Sequence, residues 1–195
     1  MRLMPASETS CVVFPSELGW FAMSLGKRGV RYLTFTHESP ADAVAALNAR
    51  ACDVNESQTL LDAEDVPLAQ RLQRYAAGER DDFLDVKIDA MEDGEFVRRV
   101  IAHCRRVGHG STSSYKQLAE KAGAPRSARA VGNVMARNRV PIIVPCHRVL
   151  ASGGGLGGYS MNPGLPLKRL LLRLEGIQHP MPRVTRLGRL SMIVT

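Results

Sequence analysis

The segment Val140 to Leu150, VPIIVPCHRVL, is apolar at both ends yet cannot form a regular helix. Pro141 and Pro145 each lack an amide proton, and each ring clashes with a preceding helical turn. Glycines at 153, 154, 155, 157 and 158 follow, so the chain next forms a loop that other groups can approach closely. The side chains that carry chemistry in the 140–150 segment, Cys146 and His147, are adjacent, with Arg148 next.

Helices are predicted on both sides. Phe96, Val97, Val100, Ile101, Cys104 and Val107 recur at helical spacing after Asp93, and Gly108-His109-Gly110 stops that helix. Ser114 caps a short helix over 115–122 that ends at Gly123. Pro125-Arg126 turns the chain, and Ser127 caps a further helix to Ala136. Helix, Gly-containing turn, helix is the outline of a helix-turn-helix, and equally of any two packed helices. A last helix spans Leu165 to Leu174, with Pro166 in its first turn and Gly176 past its end.

The first ninety residues read as a sheet with helices. Strands are predicted at Cys11–Phe14, Trp20–Leu25 and Val30–Phe35, the last two joined by a turn at 26–29. Ser39 and Pro40 open a helix to Arg50. Residues 53–65 read as an acidic loop, Val66 to Ala77 as a helix, and Phe83 to Ile88 as a strand with Leu84, Val86 and Ile88 on one face. The expected fold class is α+β (α/β), with units at 1–90 and 91–178 and a tail at 179–195.

The formal charge of +7 fits a polyanionic partner, because cations that meet phosphates release counterions; solubility alone is the other reading. Cys11, Cys52, Cys104 and Cys146 lack the paired spacing of zinc sites, and His37 and His103 add no metal spacing to Cys11 and Cys52, so no metal or cofactor is expected. The opening MRLMPASETS lacks a secretory core, no apolar run approaches the ~20 residues a bilayer requires, and free thiols suit a reducing, intracellular compartment. No membrane partner is expected.

A thiol attacks well only as thiolate, and its ordinary pKa lies near ~8.5. Beside Cys146, His147 can take the proton directly or through water. A soft thiolate suits displacement at an alkyl carbon. The bland reading makes Cys146 a small buried hydrophobe, which is accepted for the other three cysteines.

From Ser114 to Leu150 the sequence SYKQLAEKAGAPRSARAVGNVMARNRVPIIVPCHRVL closely resembles the active domain of the O6-alkylguanine-DNA alkyltransferases, the methylated-DNA–protein-cysteine methyltransferases. The likeness continues through GGYS at 157–160 and LLLRLEG at 170–176, and residues 93–177 are well covered. The resemblance implies an RNase H-like amino-terminal unit and a mostly helical winged helix-turn-helix unit. It implies irreversible, stoichiometric transfer of an alkyl group from O6-alkylguanine in duplex DNA, and possible use of O4-alkylthymine, by a monomer without a cofactor. The expected location is cytoplasmic, with the nucleoid in a bacterium, or nuclear in a eukaryote.

The resemblance also implies residue roles. Cys146 is the alkyl acceptor, His147 its base, Glu175 the acid that orients His147, and Asn138 the tie between recognition helix and active-site turn. Tyr115 meets the flipped guanine at N3 and crowds the phosphate, with Ser114 beside it on the DNA face. Gly157, Tyr159, Ser160 and Val149 belong to the substrate pocket, where carbonyls of Cys146 and Val149 accept from the exocyclic amine. Arg129 is the finger that fills the vacated base stack, since the lesion must leave the duplex. Ala128, Ala130 and Gly132 are small enough to bring the helix into a minor groove, or merely permit tight packing. Lys116, Arg126 and Arg137 are phosphate contacts or plain surface.

Two features depart from the family pattern. Met161 to Gly164 replaces a shorter glycine-rich turn, and Ile101 stands where relatives often carry Trp. A non-catalytic winged-helix lesion sensor or regulator is the alternative reading; it would not require Cys146, His147 and Glu175 together. A cysteine hydrolase or thiol oxidoreductase would leave the helix-turn-helix unexplained.

Overall fold

A computed structural model describes residues 9–50, 59–89 and 94–178. The expectations for Cys52, for Asp93 and for a tail at 179–195 lie outside the described residues, as does most of the opening segment.

Three antiparallel strands, β1 (Ser10–Phe14), β2 (Trp20–Gly26) and β3 (Gly29–His37), are followed by helix α1 (Pro40–Arg50). Ser39 caps α1 as expected, its hydroxyl accepting from the Asp42 amide at 3.1 Å. A short strand β4 (Thr59–Leu61) then pairs parallel with β1, giving the sheet order β3-β2-β1-β4. This corrects the reading of 53–65 as loop: acidic neighbours conceal a three-residue edge strand whose pairing is wholly non-local. Helix α2 (Pro67–Ala76) follows with its predicted bounds nearly unchanged.

Alternation within the strands sends residues to two faces. Phe21 stacks between Phe14 and Phe35, with centroids 5.2 and 5.0 Å away. These rings join α2 and the second half of the chain in one continuous core. Cys11, Ala22 and Tyr32 face the other way and pack on Ala43 and Leu47 of α1.

The predicted strand at 83–88 is not one. Only Ile88 bridges, to Val30, and Phe83 has φ of 49°. The carbonyls of Phe83, Leu84 and Val86 accept from a single guanidinium nitrogen of Arg105, at 2.7, 3.0 and 2.8 Å. A side chain ten or more positions beyond the expected strand thus takes the place of a neighbouring strand, and Leu84 is left exposed.

In the second half, α3 (Gly94–Arg105) is followed by β5 (Ser113–Ser114), α4 (Tyr115–Lys121), α5 (Ala128–Ala136), β6 (Val149–Leu150) and α6 (Leu165–Leu174). Ser114 forms a full capping box with Gln117. Ser127 occupies the N-cap of α5 without a side-chain cap bond. The β5–β6 ladder is parallel, and it ties the start of α4 to the segment just after Cys146. Ile101 is buried in the core. Among the described residues no helix is long and apolar enough to cross a membrane.

Phe21 has no exposed surface and touches both neighbouring rings, so Phe21→Ala should lower unfolding stability by ~3–5 kcal/mol. Urea unfolding of the full chain checks this; a change below ~1 kcal/mol would contradict the central place of the stack.

Candidate functional site

Residues 141–144 form a turn closed by a Pro141–Val144 bridge, and after Pro145 the residues Cys146–Arg148 make one tight 3-10 turn. Cys146 donates its amide to Val144 O at 2.8 Å, a geometry stabilised from outside by Asn138. The Asn138 amide nitrogen donates to Val144 O at 2.8 Å and to Cys146 Sγ at 3.1 Å, while its oxygen accepts from the Val140 amide at 3.1 Å. One side chain just past α5 therefore holds the turn and faces the sulfur.

Cys146 is only 6% exposed, but that exposure opens on a pocket of about 950 Å³. Tyr115 and Lys116 of α4, Ala128, Arg129 and Gly132 of α5, and Tyr159 and Ser160 of the glycine-rich segment share its wall. Eight residues named from the sequence thus meet in one place, counting Cys146. Gly157 is required beside them: its φ is +68°, and a Cβ there would lie 2.7 Å from the Tyr115 ring. Tyr115 donates to Gly158 O at 3.4 Å, and Ser160 donates to Ala136 O at 2.9 Å.

Other expected residues stand elsewhere. Ala130 lines a separate groove between α3 and α5, and Ser114 and Arg126 are not on the pocket wall. Val149 is buried, and its carbonyl accepts from Lys168 Nζ at 2.6 Å, which leaves one lone pair for any substrate amine.

Behind the turn lies a buried charged cluster. Glu175 Oε1 accepts from His147 Nε2 at 2.8 Å, Arg148 Nη2 at 2.9 Å and Tyr75 Oη at 2.6 Å. Its Oε2 accepts from Arg148 Nε at 2.8 Å and the Gly110 amide at 3.4 Å. Burial would push this carboxyl up, but the hydrogen bonds from His147 and Arg148 outweigh it and hold Glu175 well below the usual range. An ionised Glu175 requires the proton on Nε2 of His147, so Nδ1 carries the lone pair. Nδ1 is buried and makes no hydrogen bond among the described residues. Burial pushes the His147 pKa down against the pull of Glu175, so the ring is neutral at neutral pH and able to accept a proton.

Burial also raises the Cys146 pKa; the Asn138 hydrogen bond and the Lys168 charge act against it without reversing it. The resting sulfur is a thiol, and a base is needed. Cys104, buried and raised further by burial, is inert.

Sequence reasoning passed over Tyr75 and Lys168 and gave Arg148 no role. Lys168 is buried, donates to the carbonyls of Val149, Leu156 and Gly158, and has its pKa pushed down to about 8 by burial. A signal existed: Lys168, Leu171, Leu172 and Glu175 lie on one helical face, so a cation and an anion interrupt an apolar stripe. Tyr75 carried none, because an apolar helix position does not reveal a contact a hundred residues away. Among the described residues no cluster of His, Cys, Asp and Glu could hold a metal ion.

The profile of a family described as 6-O-methylguanine DNA methyltransferase, DNA binding domain, matches residues 95–177. A methylated-DNA–protein-cysteine methyltransferase of Methanosarcina acetivorans is 33% identical over 164 residues, covering 84% of this chain and 96% of that protein. The crystal structure of Mycobacterium tuberculosis OGT in complex with DNA superposes with a TM-score of 0.66 at 28% identity, covering 85% of this chain and 92% of the other. The O6-methylguanine-DNA methyltransferase of Pyrococcus kodakaraensis gives 0.62 at 26% identity, with 86% and 99% covered.

Tyr75→Phe removes one of three donors to Glu175 Oε1 and frees the carboxylate that aligns His147. Reaction of Cys146 with a benzylguanine probe should slow by roughly 3–10-fold, the ~0.5–1.5 kcal/mol net worth of a typical hydrogen bond. Stopped-flow labelling of the folded variant measures it, and an unchanged rate would contradict the alignment role.

Proposed function

The chain belongs to the methylated-DNA–protein-cysteine methyltransferase family, and from that membership we propose that Cys146 is the acceptor and that the groups around it act as follows. The protein repairs DNA by direct reversal, moving an alkyl group from O6-alkylguanine to its own cysteine. The observation that carries the assignment to Cys146 is a thiol on the pocket wall, 3.1 Å from the Asn138 amide, next in the chain to a buried His147–Glu175 pair at 2.8 Å.

His147 Nδ1 takes the thiol proton through a water, and the imidazolium that forms is stabilised by ionised Glu175. The thiolate attacks the alkyl carbon; the sulfur–carbon bond forms as the carbon–O6 bond breaks, and the electron pair returns to the purine. The Tyr115 hydroxyl at N3 supplies a proton as the base departs, an interaction strongest in the transition state, and the proton held by His147 passes through water to restore that hydroxyl. Ser160 faces O6, and the carbonyls of Cys146 and Val149 receive the exocyclic amine. A thioether is a poor leaving group, so each chain acts once.

The lesion reaches this pocket only when rotated out of the duplex, at a cost of a few kcal/mol. Arg129, exposed on α5 at the pocket wall, fills the gap in the stack. Ser114, Ala128, Ala130 and Gly132 border the minor groove, and Lys116 and Arg126 meet phosphates. This arrangement treats 91–178 as a winged helix-turn-helix unit, supported by the α4–turn–α5 pair and the β5–β6 ladder. The four-stranded sheet with α1 and α2 supports an RNase H-like unit in the first ninety residues. The protein works as a monomer in the compartment that holds the DNA, without metal or cofactor.

A fluorescent benzylguanine should label the wild type to one group per chain and leave Cys146→Ser unlabelled. Folded wild-type protein that stays unlabelled would point to a DNA-binding sensor, and repeated product release to a hydrolase. Arg129→Ala should slow repair of methylated duplex at least tenfold more than it slows reaction with free benzylguanine. Equal losses on both substrates would remove the finger role.

A further inference from the structure

Three arginines near the pocket mouth take no part in the alkyl transfer; the sequence left one of them, Arg137, as a phosphate contact or plain surface, and named neither of the others. Arg50 is the last residue of α1, Arg137 caps α5, and Arg139 lies two positions on; all are exposed. They line one shallow depression of about 200 Å³ with Tyr32, Ala136, Asn138 and Ser160, and no carboxylate is on its wall. Among the described residues none of the three forms an ion pair.

We propose that Arg50, Arg137 and Arg139 form a second phosphate-binding face, which grips the DNA backbone beside the flipped nucleotide and brings the sheet unit into the DNA footprint. The proposal rests on the repair reading above. Continuity carries it, because Ala136 and Ser160 line both this depression and the pocket that contains Cys146. A backbone leading a nucleotide into the pocket on that side meets the arginines next.

The face is preset. The Arg139 guanidinium lies 5.4 Å above the Tyr32 ring, and its carbonyl accepts from the Leu33 amide at 2.9 Å, which joins the end of α5 to β3. The Arg137 amide is bonded to Asn133 O and Val134 O, each at 3.2 Å. A guanidinium is suited to paired contacts with phosphate oxygens, and it keeps its charge at every working pH. The plain alternative is that Arg50 and Arg137 only complement the negative ends of α1 and α5. That role requires no grouping with Arg139, and it leaves DNA affinity untouched.

The test is the salt dependence of duplex binding by the full chain, measured by fluorescence anisotropy between about 50 and 200 mM salt. Each lost phosphate contact lowers the slope of log K against log salt by ~0.9. R50Q/R137Q/R139Q should therefore lose ~2–3 units of slope, and R50Q alone ~1. R80Q/R106Q/R173Q, the same charge removed from other exposed positions, should keep the wild-type slope. Thermal melting of each variant reports its fold, and R50Q at a helix end serves should the triple variant melt early. A folded R50Q with the wild-type slope would overturn the proposal. So would an equal slope loss in the two triple variants, because net charge alone would then explain it. Failure of the repair reading shows separately, as wild-type protein that never labels at Cys146.

Discussion

One carboxylate holds the reactive part of this molecule together. Glu175 collects donors from α2, from the turn after α3 and from both residues that follow Cys146. Arg148 extends the network to Val107 O at 2.6 Å and Asp82 at 3.3 Å. Burying a charge is costly unless it is paired and its remaining lone pairs are filled, and Glu175 meets both conditions. Taking away one partner of such a pair commonly costs ~3–5 kcal/mol, because the other charge is left stranded. The site therefore includes the amino-terminal sheet unit through Tyr75, although the pocket wall itself comes from the second half of the chain.

The electrostatics suit a protein that reacts once. Burial keeps the Cys146 sulfur protonated at rest, which protects it from indiscriminate alkylation and oxidation. In the proposed reaction neutral His147, fixed in one tautomer by an ionised Glu175, accepts that proton at the moment of attack. Lys168 adds positive charge nearby while its ammonium pins the carbonyls of Leu156 and Gly158, and in that way the same group shapes the pocket lip and tempers the sulfur.

How much was legible follows from where each interaction lies along the chain. Pro141 and Pro145 ruled out a regular helix around Cys146, and the helices on either side carried their own start and stop residues. Local chemistry of that kind is written in neighbouring residues. Residues 83–88 show the limit: alternation suggested a strand, but the decisive partner was Arg105, whose guanidinium takes the carbonyls a strand would offer. The β4 strand failed to show for the same reason, since its stabilising partner, β1, lies some fifty residues earlier. Tyr75 and Arg148 looked like an ordinary core ring and an ordinary charge; only the meeting of α2 with α6 gives them a common carboxylate.

The most direct test of this account is peptide mass spectrometry after the full chain has met an excess of duplex carrying one O6-methylguanine. The peptide containing Cys146 should be heavier by a single methyl group, in an amount equal to the lesions converted to guanine. Conversion of the lesion with the Cys146 peptide unchanged, or with the methyl group on another residue, would contradict it.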